Sequence, residues 1–202
     1  MIIYGITGPS GAGKSLLGEY CASHGIPHLD ADAIYHALLI PPSEAVDALC
    51  LAFGEDILND EGGIDRAALS AIVFADAQKL ALLNKTVLDI VLREIRRRLE
   101  VLAAEGIAIV AVDAPTLIES GFDSECDAVI AVLSEKETRI SRIMARDNLT
   151  RERAEARVAA QKNDDFYRAA ADAVLWNDGD REALFADFER FLAKQNERSR
   201  DQ

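Results

Sequence analysis

The residues best equipped for chemistry stand together near the start of the chain, at Gly8-Pro9-Ser10-Gly11-Ala12-Gly13-Lys14-Ser15. They satisfy G-x-x-x-x-G-K-[ST] at every fixed position, the pattern of a phosphate-binding loop. Glycines at these places let the backbone wrap close to a phosphate and aim successive N–H groups inward. A helix opening from the loop adds its unbonded N–H groups and the positive end of its dipole. The Lys14 ammonium would reach β- and γ-phosphates as a point charge, and the Ser15 hydroxyl would ligate Mg²⁺, a hard cation that takes oxygen. Gly11, Ala12, Gly13, Lys14, Ser15 and Leu16 are therefore the expected triphosphate-binding residues.

Other chemistry-bearing residues fall at the ends of apolar runs. Asp30-Ala31-Asp32 follows Ile26-Pro27-His28-Leu29, and Asp113 follows Ile107-Ala108-Ile109-Val110-Ala111-Val112. In open α/β sheets the carboxyl ends of strands are where ligands sit. Asp32 can orient an acceptor, or equally cap a helix beginning at Ala33. Asp113 can support Mg²⁺ through water, or equally start a turn with Pro115. Asn177, after Ala173-Val174-Leu175-Trp176, can meet a base or make the turn.

A third group is cationic. Residues 139–168 carry eight cations against five anions in a chain whose 22 Lys+Arg and 35 Asp+Glu leave it at −13. Arg139, Arg142 and Arg146 recur at i, i+3, i+7 on one helical face. Asn148-Leu149-Thr150 interrupts that helix, and Thr150 can cap another through Gln161. Two helices with arginines along one side read as a lid over phosphates at about 135–168, against the plainer reading of an ion-paired hairpin.

These residues require elements to hold them. Residues 1–7 read as a buried strand and Ser15–Cys21 as a helix, which is the context a phosphate loop needs. Residues 107–112 and 128–133 read as parallel strands buried on both faces, and 173–176 as a fifth short strand. Between strands two and three, residues 33–105 are helical. One helix is expected over 43–53, a second over 66–74 capped by Asp65, and a long third over 76–105. The last carries Leu80, Leu83, Val87, Ile90, Val91, Ile95, Leu99 and Leu102 at helical spacing. A final helix is expected over 181–195, with a frayed polar end. The whole is α/β, a single domain over 1–202 with a helical subdomain at 33–105.

Composition sets the outer limits. A surface this acidic disfavours nucleic acid as a partner. Cys21, Cys50 and Cys126 are scattered and suit a reducing, cytoplasmic setting. The N-terminal apolar run meets the loop glycines too soon for a signal peptide, and no stretch is long enough to span a membrane.

Taken in order, these segments resemble the dephospho-coenzyme A kinase family over nearly the whole chain. The likeness runs through Ile6-Thr7-Gly8 with the phosphate loop, Asp30-Ala31-Asp32, Phe53-Gly54, Ile64-Asp65-Arg66 with Leu69, and Val73-Phe74. It continues through Asp113-Ala114-Pro115 with Leu117 and Glu119, Arg142 to Arg146-Asp147, Gln161, and Ala171-Asp172 through Asn177-Asp178-Gly179. The resemblance implies a five-stranded parallel P-loop kinase fold with a helical acceptor-binding insertion and a helical lid. It implies MgATP-dependent phosphorylation of the ribose 3′-hydroxyl of dephospho-CoA, by a monomer or weak homo-oligomer. It implies Lys14, Asp32, Arg142 and Arg146 as catalytic residues, Asp32 being the base. Asp30, Asp32, Arg66 and Glu119 would contact the acceptor, Arg142 and Asn177 the ATP, and Ser15 and Asp113 the metal. Three departures stand out. Asn84-Lys85 replaces a usual His-Pro, Pro115-Thr116-Leu117-Ile118-Glu119 a usual Pro-Leu-Leu-Phe-Glu, and Arg139 a frequent glutamine. Another small-molecule kinase with a nucleoside or nucleotide acceptor, or a nonenzymatic nucleotide-binding regulatory module, is the alternative. A GTPase is disfavoured because Asn84-Lys85-Thr86-Val87 lacks the Asp of N-K-x-D.

Overall fold

A computed structural model describes residues 1–73 and 75–200. Phe74, the expected end of the second helix of the insertion, lies outside them with residues 201 and 202. In chain order the elements are β1 (Ile2–Thr7), α1 (Lys14–Ser23), β2 (His28–Asp30), α2 (Ala31–Leu38), α3 (Glu44–Phe53), α4 (Arg66–Val73) and α5 (Ala77–Ala104). There follow β3 (Ile109–Asp113), β4 (Ala128–Leu133), α6 (Lys136–Asp147), α7 (Arg151–Ala159), α8 (Asp164–Ala170), β5 (Ala173–Trp176) and α9 (Arg181–Arg200). The chain divides into two compact units, one of residues 1–29 with 108–202 and one of residues 30–107.

The first unit is built on a five-stranded parallel sheet of order β2-β3-β1-β4-β5. Its central strands are continuous apolar runs because both faces are covered. Tyr4, Ile6, Ala111, Ile130 and Val132 pack on one face with Leu17 and Cys21 of α1 and Leu184 and Phe188 of α9. Ala131 and Leu133 meet Tyr167 of α8 on the other. The chain steps from β1 to β2 and β3 on one side, then to β4 and β5 on the other. That reversal puts the carboxyl end of β1 at the switch point of the sheet, where open α/β folds bind ligands.

The second unit is helical. Each of three helices begins at a side-chain oxygen that accepts first-turn N–H groups: Ser43 before α3, Asp65 before α4 and Asp76 before α5. Leu39, Leu49, Ile57, Leu69 and Val73 form its core, with Leu80, Leu83 and Val87 of α5 packed against it.

Three local expectations are corrected. β2 begins and ends later than predicted, whereas Asp113 stands at the end of β3, the strand-end position expected of it. The register pairs Asp113 with Ile6, so the ladder extends one residue further than the apolar run. α9 continues to Arg200, since Gln, Glu and Arg sustain a helix where no Gly or Pro stops it. α8, capped by Asn163, is an additional helix too short for a periodic signal.

Candidate active site

The loop after β1 turns through backbone that only glycine adopts without strain. Gly8 has φ 142° and Gly13 φ 95°, and Gly13 is the residue from which α1 opens. At each, a methyl group would also collide. It would lie 2.2 Å from the Val132 carbonyl oxygen at Gly8 and 2.0 Å from Asn177 Nδ2 at Gly13. Lys14 Nζ lies across the turn, donating to the Gly8 carbonyl at 3.1 Å. Two of the six expected triphosphate residues use their amides inside the loop: Ala12 N–H donates to Pro9 O at 3.2 Å and Leu16 N–H to Gly13 O at 3.0 Å.

The predicted arginine face exists and points at this loop. Arg139 Nε donates to Ser10 O at 3.1 Å. Arg142 Nη1 reaches Gly11 O at 3.3 Å and Ala12 O at 3.5 Å, and its Nη2 donates to Asn177 O at 2.9 Å. Arg146 Nη2 meets the Ser10 hydroxyl at 3.3 Å while its guanidinium forks onto Asp147 at 2.8 Å. α6 and α7 pack through Ile140, Ile143, Ala154 and Val158. Asn148, at φ 50°, makes the left-handed break between them, and Thr150 caps α7 as predicted. Burial pulls the pKa of Arg139 down, with Asp164 opposing the shift.

Asn177 is 2% exposed, and its Nδ2 donates to Ala12 O at 2.7 Å. Its Nδ2 is thus engaged by the phosphate loop. The neighbouring Asp178 ties the ends of β4 and β5 together, accepting from Ser134 Oγ at 2.6 Å and Glu135 N at 2.8 Å. Ser10, Ser134, Asp178 and Gln161 carried no role in the sequence reading. Their partners lie tens of residues away, so no local pattern announces them.

Asp113 is 7% exposed at the end of β3, across from Ile6 and two residues before the loop begins. Among the described residues no group of three His, Cys, Asp or Glu side chains forms a cation cage. Ser15 and Asp113, the residues expected to meet a metal, bear hard oxygen donors and are few. That suits Mg²⁺, which keeps its waters and takes substrate phosphates rather than a full protein shell. Glu119 is exposed in the turn following β3 and raises the pKa of the buried Tyr167 hydroxyl only as a secondary influence after burial. The thiols are poor nucleophiles: burial lifts Cys21 to about 11 and Cys126 to about 12.

Within the helical unit, the Asp30 carboxylate caps α2, with Oδ1 accepting from Asp32 N at 2.8 Å and Ala33 N at 3.0 Å. The capping role considered for Asp32 therefore belongs to Asp30, because the helix starts at Ala31. Asp32 is exposed in the first turn. Arg66, also exposed, lines a pocket of about 370 Å³ with His36, Leu39, Ile40, Pro41 and Asn59. It sits close enough to Tyr35 to oppose the upward pull of burial on that hydroxyl.

The family described as "CoaE: Dephospho-CoA kinase" matches residues 2–183. A dephospho-CoA kinase of Corynebacterium glutamicum is 34% identical over 194 residues, covering 96% of this chain and 97% of its own. A crystal structure from Thermus thermophilus superposes with a TM-score of 0.79 at 34% identity, covering 96% of this chain and 97% of that one. The dephospho-CoA kinase of Campylobacter jejuni gives 0.71 at 26% identity, covering 96% and 98%. With a phosphate loop at the switch point of a five-stranded parallel sheet and a family match across nearly its whole length, this chain belongs to the dephospho-CoA kinase family.

Proposed function

We propose that this protein transfers the γ-phosphoryl group of ATP to the ribose 3′-hydroxyl of dephospho-CoA, giving CoA and ADP. The observation that carries the reading is the convergence of Arg139, Arg142 and Arg146 on Ser10–Ala12 of a loop that also bears Lys14. Phosphoryl transfer needs charge neutralisation and in-line positioning more than covalent chemistry; Lys14, Arg142 and Arg146 would supply the charge, and Arg139 would position the loop.

Amides of Gly11, Gly13, Lys14 and Ser15 would cradle the β- and γ-phosphates, and Lys14 would exchange the Gly8 carbonyl for phosphate oxygen. Ser15 and Asp113 would hold Mg²⁺, which neutralises charge on the phosphates when bound. Asp32 would accept the proton of the 3′-hydroxyl as its oxygen bonds to the γ-phosphorus and the bridging β–γ bond breaks. Its exposure and the employment of Asp30 as a cap favour it over Asp30. Arg66 and Glu119 would contact the acceptor, residues 30–107 would form its binding unit, and α6–α7 would act as the lid. Arg142 and Arg146 would face the transferring oxygens on closure. We place the protein in the cytoplasm, as a monomer or weak homo-oligomer with no nucleic-acid partner. Among its described residues no helix is long and apolar enough to cross a membrane.

The test is ADP release from MgATP with dephospho-CoA, adenosine, AMP or CMP as acceptor. Stimulation by dephospho-CoA with CoA as product is expected. Preferential transfer to another acceptor would overturn the assignment. Asp32→Asn should lower turnover on the order of 10²–10⁴-fold, the range for a lost general base, while leaving MgATP affinity near its original value.

A further inference from the structure

Ser10 is held by both of its backbone groups. Its carbonyl accepts from Arg139 Nε at 3.1 Å, and its N–H donates to Gln161 Oε1 at 3.1 Å. The same Gln161 oxygen accepts from Arg139 Nη2 at 2.7 Å, which closes a three-cornered network. Arg139 is 5% exposed, and its third nitrogen stands 3.9 Å from Asp164. A buried guanidinium with its edges engaged in this way is a fixed strut, not a cation waiting for a phosphate.

The geometry of the peptide bond gives the strut a purpose. In a trans peptide the carbonyl and the following N–H point in opposite directions. Holding the Ser10 carbonyl toward α6 therefore aims the Gly11 N–H to the other side. Gly11 itself is pressed against the strut: a methyl group there would lie 2.8 Å from the Arg139 carbonyl oxygen.

We propose that Arg139 and Gln161 form a brace that sets the phosphate loop in its nucleotide-binding shape, with Arg139 a positioning residue that does not touch the transferring phosphoryl group. The brace spans from the first helix of the lid to the segment after its second, so loop shape and lid position are coupled through Ser10. This rests on the reading of the loop as an ATP site, and not on the identity of the acceptor.

The test uses full-length Arg139→Met, Arg139→Lys, Gln161→Ala and the Arg139→Met/Gln161→Ala double variant. MgATP affinity is measured by calorimetry without acceptor, and kcat and KM with dephospho-CoA. Calorimetry separates failure of the brace from failure of the acceptor assignment. Arg139→Met and Gln161→Ala should each weaken MgATP binding about tenfold, the size of a lost charge-assisted hydrogen bond, with kcat within about threefold and the KM for dephospho-CoA unchanged. The double variant should be no worse than Arg139→Met alone, because both side chains serve one network. Arg139→Lys should not rescue, since one ammonium cannot span both acceptors. A large fall in kcat at unchanged MgATP affinity would overturn the proposal by placing Arg139 on the transferring group. Additive losses, full rescue by lysine, or a lower melting temperature with unaltered MgATP affinity would also overturn it. Gln161 is only half-buried, so Gln161→Ala keeps the test open if Arg139→Met does not fold.

Discussion

Removing the Asn177 amide isolates one demand the phosphate loop makes on a distant residue. In Asn177→Ala the backbone anchors of position 177 survive, its N–H to Leu133 O at 2.8 Å and its carbonyl to Arg142 Nη2 at 2.9 Å. What disappears is the 2.7 Å donation from Nδ2 to Ala12 O. A buried carbonyl stripped of its donor costs about 1–3 kcal/mol. Arg142 Nη1 remains at 3.5 Å from that oxygen, a long and weak substitute, so a loss of about 1.5 kcal/mol is expected. At about 2–4 °C per kcal/mol for a chain of this length, the melting temperature should fall by about 3–6 °C. The Ala12 carbonyl shares a peptide plane with the Gly13 N–H, so nucleotide affinity should fall as well, by about tenfold, and equally for ATP and GTP. Thermal melts of the nucleotide-free protein, with calorimetric titration of both nucleotides, measure each part. An unchanged melting temperature together with collapsed discrimination between ATP and GTP would refute the reasoning and return Asn177 to a base contact.

Three further perturbations follow from the same structure. Gly8→Ala combines backbone strain of about 1–3 kcal/mol with a collision against the Val132 carbonyl, which is main chain and cannot swing aside. Its urea midpoint should drop markedly, and a wild-type midpoint would refute the packing of loop against β4. Lys14→Met should weaken MgATP binding about tenfold to a hundredfold with little change in melting temperature, since the lost partner is only the partly buried Gly8 carbonyl; equal affinity in calorimetry would exclude a phosphate contact. Glu94 on α5 is held at about 2 by hydrogen bonds from Arg97, then Arg98. Its folded pKa lies below the ordinary 4.5, so its stabilising effect is complete above pH 4.5 and is lost as pH falls toward 2. Arg97 is exposed and Arg98 half-buried, so solvent screening keeps the effect small. Denaturation curves of Glu94→Gln should differ from wild type at pH 6 and converge with it near pH 2; a gap that persists at pH 2 would contradict the pairing.

How much of this was legible depended on how local each requirement is. The phosphate loop could be read because its spacing obeys a backbone geometry contained in eight residues, with glycine needed at Gly8 and Gly13 for conformation and for space. The buried strands and α5 could be read because packing on both faces, or on one helical stripe, writes itself into a repeating apolar pattern. Arg139, Arg142 and Arg146 could be placed on one face by periodicity alone. Their partners could not, because Ser10 and Arg139 lie 129 residues apart in sequence. The capping ambiguity between Asp30 and Asp32 arose because both residue types suit the position. It was decided by where β2 ends, a long-range property of the sheet. The hydrogen bond from Asn177 to Ala12 O was out of reach for the same reason: the two residues lie 165 apart.

The three carbonyls from Ser10 to Ala12 account for two of the eight cations at 139–168. Ser10 O is taken by Arg139, Gly11 O by Arg142, and Ala12 O by Asn177 with Arg142 beside it. The held Ser10 and Ala12 carbonyls turn the Gly11 and Gly13 N–H groups the opposite way, toward an anion, while the Ala12 N–H donates to Pro9 O within the loop. Arginine suits this task because its planar fork serves several acceptors at once. Arg146 meets the loop differently, at the Ser10 hydroxyl, and its guanidinium rests on Asp147, which Arg157 also holds at 2.7 Å. Movement of Arg146 onto phosphate would leave Asp147 still paired with Arg157. A closing lid would therefore turn Arg146 to the reaction without abandoning a carboxylate, while Arg139 keeps the loop in shape.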